Sequence, residues 1–481
     1  MPFILGANET KVTGYNVANS VRFNSADNAY MGKTSGANGT STSGTFSCWL
    51  KRGNLGVTSS IMSQVEDANN FLILRFTSGD ALDLRWSDAG SGTDANLTTT
   101  QVFRDCSSWI NIVVKFLTSD STEANRVKIY VNGTQVTSFS SSDYPTQNDP
   151  LYGNVSSGVY RIGDNGFAAT GEDFDGYMAE VVWLDGTSTT ASDFGEFNED
   201  SPRIWQPVDV SGLTFGTNGF YLDFEDSSNL GNDANGGTDL TEVNLAAIDQ
   251  TTDTCTNNFC TCNPLDQTNT GGSSATMAEG NLKWTSTGDA SSQNHMRATF
   301  GLTAGKWYWE AKMSNSNSGP GFNIGVTGSD ANMNQGGSGS MNDNDPNTLF
   351  VNAASTASAT KKDGSNVTTS LTTVAENQIV QIALDLDNQK FYVGVQGTWL
   401  NSADPAAGSN EPATVDANTT YLPACSDNGY ADAITLELNF GNPTFSISSG
   451  NADANGYGNF EYSVPSGYYS LCTKNLAEFG G

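Results

Sequence analysis

Trp109-Ile110-Asn111-Ile112-Val113-Val114-Lys115-Phe116 is followed by Arg126-Val127-Lys128-Ile129-Tyr130-Val131, which meets Asn132-Gly133 before Gln135-Val136 resumes the pattern. Both runs are rich in β-branched and aromatic residues, which suit a pleated, half-buried surface. An Asn-Gly pair between such runs is a strong hairpin signal, because both turn positions need positive φ. The spacing predicts two paired strands, with the more apolar 109–116 run inside its sheet. Working outward, Thr45-Phe46-Ser47-Cys48-Trp49-Leu50, Phe71-Leu72-Ile73-Leu74-Arg75-Phe76 and Leu82-Asp83-Leu84-Arg85-Trp86 read as earlier strands, and Tyr177-Met178-Ala179-Glu180-Val181-Val182-Trp183-Leu184 as a later one.

The same pattern returns downstream. Lys306-Trp307-Tyr308-Trp309-Glu310-Ala311-Lys312-Met313 alternates as a half-buried strand, and Phe322-Asn323-Ile324-Gly325-Val326 and Ile434-Thr435-Leu436-Glu437-Leu438-Asn439 follow. The runs 379–386 and 390–395 flank Asp387-Asn388, a second expected tight hairpin. Between the two blocks, Gly219-Phe220-Tyr221-Leu222-Asp223-Phe224 leads into a run of Asn, Asp, Gly and Thr that ends at Cys260-Thr261-Cys262-Asn263-Pro264. Such a run buries too little apolar surface to order itself well. No helical stripe of period 3.6 is present, so an all-β chain is expected. The expected division is an N-terminal extension or attachment segment over 1–14, a first antiparallel β-sandwich over 15–210, an irregular Asn/Gly-rich linker over 211–280 and a second β-sandwich over 281–481.

Composition bounds what this chain can do. Its 481 residues include 51 glycines, with 15% charged and 10% aromatic residues. A disordered chain shows the reverse balance, so a sizeable core is expected. The 21 basic against 52 acidic residues leave a formal net charge of −31. That field repels phosphate backbones and anionic lipid, which argues against nucleic-acid and membrane partners. The start, Met1-Pro2-Phe3-Ile4-Leu5-Gly6-Ala7, lacks the basic and apolar regions of a signal peptide, and no stretch is long enough to cross a bilayer. A protein that stays in the cytoplasm or leaves by lysis is expected. Seven cysteines at low density, one of them necessarily unpaired, predict mostly free thiols. Cys260 and Cys262 have the wrong spacing for a zinc knuckle.

The strand containing Phe46 and Trp49, the 109–116 run, the Ile129-Tyr130-Val131-Asn132-Gly133 hairpin and the closing Phe174-Asp175-Gly176-Tyr177-Met178-Ala179-Glu180-Val181 resemble the laminin-G/concanavalin-like jelly roll. That likeness implies that the closing strand returns beside the first one. Gly305-Lys306-Trp307-Tyr308-Trp309-Glu310, Asn323-Ile324-Gly325-Val326, Leu438-Asn439-Phe440-Gly441 and Pro465-Ser466-Gly467-Tyr468 look like a SPRY domain, a second jelly-roll β-sandwich. This order of blocks is similar to a group of marine tailed-phage structural proteins. Asn19-Ser20-Val21-Arg22-Phe23-Asn24 and Leu471-Cys472-Thr473-Lys474-Asn475-Leu476 add to the likeness, which covers about nine tenths of the chain. It implies a virion protein assembled in the host bacterial cytoplasm with other virion proteins: a tail fibre, spike or capsid decoration that attaches to a host-surface glycan or receptor. Many such proteins are homotrimers, although no heptad segment is present to make a coiled coil. Members of the group often continue past the Asn475-Leu476 position, so a specific role such as tail tip does not transfer.

Catalytic chemistry is poorly supplied. His295 is the single histidine, it has no nucleophile elbow to serve, and it reads as a surface or loop residue. A glycosidase of this fold needs two carboxylates on one strand face, and no Glu-x-Asp-x-x-Glu string occurs. Glu172-Asp173-Phe174-Asp175 reads as a solvated loop end. The chain is therefore expected not to be an enzyme, with a virion-associated polysaccharide depolymerase and a purely structural particle-joining protein as alternatives. In the last, Met1–Ala7 would be an attachment strand. Calcium is the one cofactor considered, because hard cations take oxygens from Asp and Asn. Asp164, Asn165, Asp343 and Asp345 are the candidate ligands, against the simpler reading of Asx-capped turns. Tyr144, Tyr152, Phe167, Trp399 and Tyr457 lie in Gly/Ser/Asn-rich stretches and are the candidate sugar-stacking rings, with loop anchoring as the alternative for each.

Overall fold

A computed structural model describes residues 3–5, 14–88, 93–167, 171–269, 275–287, 294–316, 322–331, 348–353, 358–362, 365–371, 374–427 and 433–481. The chain forms two compact units, Val12–Thr256 and Met1–Lys11 together with Asn257–Gly481. Both are nearly all β, with antiparallel sheets facing one another as jelly-roll sandwiches.

In the first unit one sheet runs, in spatial order, Thr134–Gln135, Val127–Val131, Ile110–Leu117, Ser43–Arg52, Gly176–Asp185, Ser20–Phe23 and Gln250–Thr251. The hairpin forms as expected: Val131 pairs with Thr134, and Asn132 and Gly133 take φ of 45° and 74°. Ile110–Leu117 lies inside this sheet, and Gly176–Met178 returns beside Val21–Phe23. The facing sheet runs Phe139–Asp143, Thr93–Val102, Ala81–Asp88, Asn70–Phe76, Ser59–Asp67, Val159–Ile162, Tyr30–Thr34 and Thr241–Val243. Alternate residues of each strand meet between the sheets, where Phe46, Leu72, Leu84, Trp86, Ile112, Phe116 and Trp183 are buried. Each such ring or branched chain contributes roughly 1.5–3 kcal/mol of burial.

Gly176–Asp185 carries the most unusual backbone. Its register against Ser43–Arg52 shifts between Ala179 and Val182, and Glu180 in the bulge has φ of 49°. Beyond the bulge, Val181–Trp183 pairs with Phe220–Leu222.

The expected linker over 211–280 is corrected by this pairing. Phe220–Leu222, Thr241–Val243 and Gln250–Thr251 are strands of the first sandwich, while Cys262–Asn269 pairs with Asn294–Ala298 in the second. The polar run orders itself because its carboxylates replace missing backbone partners. Asp233 accepts from the Tyr221 and Asn235 amides at 3.0 and 3.1 Å, Asp239 from the Asp233 amide at 3.0 Å, and Asp249 from the Ala246 amide at 2.9 Å. The boundary at 210 moves accordingly to Thr256.

The second unit has a sheet ordered Cys262–Asn269, Asn294–Ala298, Tyr421–Asp427, Phe322–Gly328, Thr348–Ala353, Ser358–Lys362 and Ser365–Leu371. Its other sheet contains Thr276–Ala278, Lys283–Thr285, Ile434–Asn439, Lys306–Ser316, Ile379–Asp385, Lys390–Val395 and Thr398–Trp399. The turn at Asp387-Asn388 is longer than expected. Asp385 pairs with Lys390, and Gln389 takes the left-handed conformation at φ 55°. The extension expected over 1–14 contributes Ile4–Leu5, which pairs in parallel with Phe300–Gly301 of this unit. One edge of this short strand is thus paired within the chain. All seven cysteines are free thiols.

Candidate functional site

Strand alternation sorts the second sheet of the first sandwich into two faces. Leu72, Leu74, Phe76, Leu82, Leu84, Trp86, Ala95 and Leu97 enter the core. Phe71, Ile73 and Arg75 therefore point away from it, as do Asp83 and Arg85 on the next strand and Asn96 and Thr98 on the one after. Cross-strand register aligns Arg75 with Asp83, Ile73 with Arg85, Arg85 with Asn96 and Asp83 with Thr98.

Polar contacts knit this outer face. Arg75 Nε donates to Asp83 Oδ2 at 3.0 Å and its Nη1 to Glu172 Oε2 at 3.2 Å. Thr98 Oγ1 donates to Asp83 Oδ1 at 2.7 Å. Glu172 belongs to the loop that follows Val159–Ile162 and folds back over the sheet. Gly163 and Gly166 allow that fold with φ of 90° and 84°, and a Cβ on Gly166 would stand 2.4 Å from Val65 Cγ2. The loop delivers Phe167 to Phe71, edge to face at a centroid distance of 5.2 Å. The Arg85 guanidinium lies 5.8 Å from the centroid of the Phe71 ring. Two half-buried rings thus adjoin rows of hydroxyl, amide, carboxylate and guanidinium groups.

The expected ligands Asp164 and Asn165 sit in the same loop, already engaged. Asp164 Oδ1 accepts from Arg161 Nη1 at 2.9 Å and from the Gly166 amide. Asn165 Oδ1 accepts from the Phe167 amide at 2.9 Å, and its Nδ2 donates to Glu172 at 3.1 Å. These are Asx turns that shape the loop. Among the described residues no group of three or more His, Cys, Asp or Glu side chains could hold a metal ion. Asp343 and Asp345 lie outside the described residues.

The acidic string 172–175 is not a solvated end. Asp173 and Asp175 are buried and Phe174 enters the core. Burial first, then the adjoining Asp164 carboxylate, pushes the Asp173 carboxyl up to about 6.

The other candidate rings scatter. Tyr152 is not a rim residue: it is 1% exposed within the core, edge-on to Trp86, with its hydroxyl on the Ser87 carbonyl at 2.8 Å. Tyr144 is half-buried and lines a cleft of about 370 Å³ with Val127, Lys128, Val136 and Phe139. In the second unit Trp399 lies edge-on to Tyr308 at 6.4 Å, and Tyr457 lies under the Lys474 ammonium at 5.7 Å. Both are half-buried and anchor their loops. Sequence reasoning missed Phe71, Arg75 and Arg85. The signal was present in the period of two, which places Phe71 and Arg75 on one face of a strand read only as a strand.

Two titratable residues elsewhere are buried. Glu310 accepts from the Tyr308 hydroxyl at 2.8 Å and from the Tyr462 and Glu461 amides at 2.9 and 3.0 Å, which ties the 461–462 segment to its strand. His295, expected at the surface, is fully buried on Asn294–Ala298, and burial lowers it to about 4. Alternation along the strand puts it on the face opposite Met296 and Ala298, which enter the core.

Comparison with known proteins adds the following. A search of curated proteins returns no match. Among solved structures the chain is similar to a putative carbohydrate binding protein from Bacteroides ovatus, at 19% identity over 50% of this chain and 60% of that one, with a TM-score of 0.35. It is also similar to mouse laminin alpha1 domains LG4-5, at 7% identity over 88% and 84% with a TM-score of 0.30. The SPRY domain of human HERC1 aligns at 14% identity over 37% of this chain and 96% of that domain, with a TM-score of 0.28. Residues 24–192, most of the first sandwich, match the family model of the concanavalin A-like lectin/glucanases superfamily.

Proposed function

We propose that the chain is a surface protein of a tailed-phage particle, a fibre, spike or capsid decoration, that binds a host-surface glycan through its first sandwich. The observation that carries the binding half is the outer face just described. The Phe71–Phe167 pair offers apolar ring surface to the C–H face of a pyranose, and the half-buried Asn96, Thr98 and Arg75 adjoin it as directional partners for hydroxyls, with Asp83 buried beneath to hold Arg75 and Thr98 in place. The order of blocks in the sequence supports the virion half.

In this reading the face binds and does not cleave, because Asp83 and Glu172 are both engaged by Arg75. Nor does binding need calcium, since Asp164 and Asn165 are committed to the loop. The test is a glycan array with wild type and a Phe71→Ala/Phe167→Ala double variant. A set of glycans bound by wild type and lost in the variant is the expected result, unchanged by EDTA. Binding that survives the double variant overturns the assignment of this face. Release of reducing ends from a bound polysaccharide would turn the reading into that of a depolymerase. Mass spectrometry of purified particles tests the virion half, and absence of the chain there sinks it.

A further inference from the structure

The cations on the outer face of the first sandwich differ in one respect. Arg75 is held by Asp83 and Glu172, and Arg161 by Asp164. Arg85 is exposed, pairs across the strands with Ile73 and Asn96, and makes no ion pair among the described residues. Its guanidinium stands over the Phe71 ring, itself in contact with Phe167.

We propose that Arg85 makes this face selective for saccharides that carry a carboxylate, an inference that rests on the glycan-binding reading above. A guanidinium has five donors and no acceptor, so it discriminates little between sugar hydroxyls, which serve either way. A carboxylate accepts only, and the planar fork matches it with two parallel bonds. The cation–π contact with Phe71, at 5.8 Å from the ring centroid, keeps the guanidinium near the ring before any ligand arrives. A pyranose seated on Phe71 and Phe167 would bring an equatorial substituent to the guanidinium. The net charge of −31 narrows the class further. Densely charged polymers are repelled by that field, while one carboxylate within about a Debye length of Arg85, ~8 Å, feels mainly the local cation. The ligand class is therefore a largely neutral glycan with isolated uronic-acid residues.

The test uses the full chain and two gluco-oligosaccharides of the same linkage and length, one with C6 of its terminal residue oxidised to the carboxylate. Calorimetric titration of wild type is expected to show about tenfold tighter binding of the oxidised sugar, the scale of a charge-assisted hydrogen bond. In Arg85→Gln the two affinities should fall to near parity. Arg85→Lys, which keeps the charge without the fork, should retain part of the preference. Equal affinity of wild type for both sugars, or a preference that survives Arg85→Gln, overturns the role of Arg85 and leaves the glycan reading standing. Binding of neither sugar to this face, with other glycans bound in a Phe71-dependent way, also removes the carboxylate class. Loss of all glycan binding removes both readings together.

Discussion

Glu180 shows how one residue can couple backbone geometry to pH. The bulge puts it in a left-handed conformation that costs a non-glycine residue on the order of 1 kcal/mol or more. Its carboxylate is buried and accepts from the Tyr221 hydroxyl at 2.8 Å, and Tyr221 in turn meets the Tyr15 hydroxyl at 3.2 Å. Burial, with the nearby acids Asp223, Glu225 and Asp209 adding to it, pushes Glu180 up to about 8. The group is therefore neutral in the folded protein at pH 7. The unfolded chain releases this proton near the ordinary glutamate value, and the folded chain releases it only near 8. Folded stability from this group is thus complete below about pH 4.5 and declines as pH rises through 8, by on the order of 5 kcal/mol in the limit. Glu180→Gln removes the ionisation while keeping an acceptor for Tyr221. Urea unfolding should find the variant close to wild type at pH 5 and more stable at pH 8.5. Parallel stability profiles for the two proteins would refute this.

Individual turns and loops carry sharper expectations. Asn132 and Gly133 both have positive φ, and a Cβ on Gly133 would stand 2.3 Å from Cζ3 of the Trp205 ring. Gly133→Ala should lower stability by about 1–3 kcal/mol, read as a shift in the urea midpoint without change in slope. Gly166→Val should lift the loop from Val65, separate Phe167 from Phe71, and reproduce the binding loss of Phe167→Ala. Intact glycan binding in Gly166→Val would show that the loop is dispensable to the face. These elements also mark what the chain discloses before folding. The Asn132-Gly133 hairpin, the 109–116 strand and the existence of the 177–184 strand are legible because turn chemistry and period are local properties, whereas the return of that last strand beside Ser20–Phe23 is implied only by the family likeness. Phe220–Leu222, Thr241–Val243 and Gln250–Thr251 are not, because three residues or fewer show no period and composition averages them into their polar neighbours. Their order comes from carboxylate-to-amide bonds that only the tertiary fold aligns. The proposed binding face was half legible. Phe167 and its loop stood out by composition, whereas Phe71 and Arg85 required knowing which face of two regular strands lay outside.

At the scale of the chain, the compact unit Val12–Thr256 implies a testable boundary. A fragment spanning 12–256 should unfold in one cooperative transition, followed by far-UV circular dichroism in urea. A fragment ending at 210 lacks strands from both sheets and should be unfolded or aggregated. Equal stability of the two fragments would mean that the late strands are accessory. The distance these strands bridge has a further consequence. The Ser20 hydroxyl lies 3.1 Å from the Thr251 hydroxyl, across 231 positions of sequence. A ribosome emitting this chain releases Ser20–Phe23 long before the strand that covers its free edge exists. The nascent first sandwich must wait with an open flank through most of its own translation, and that interval is when it is most exposed to chaperones and to neighbouring copies.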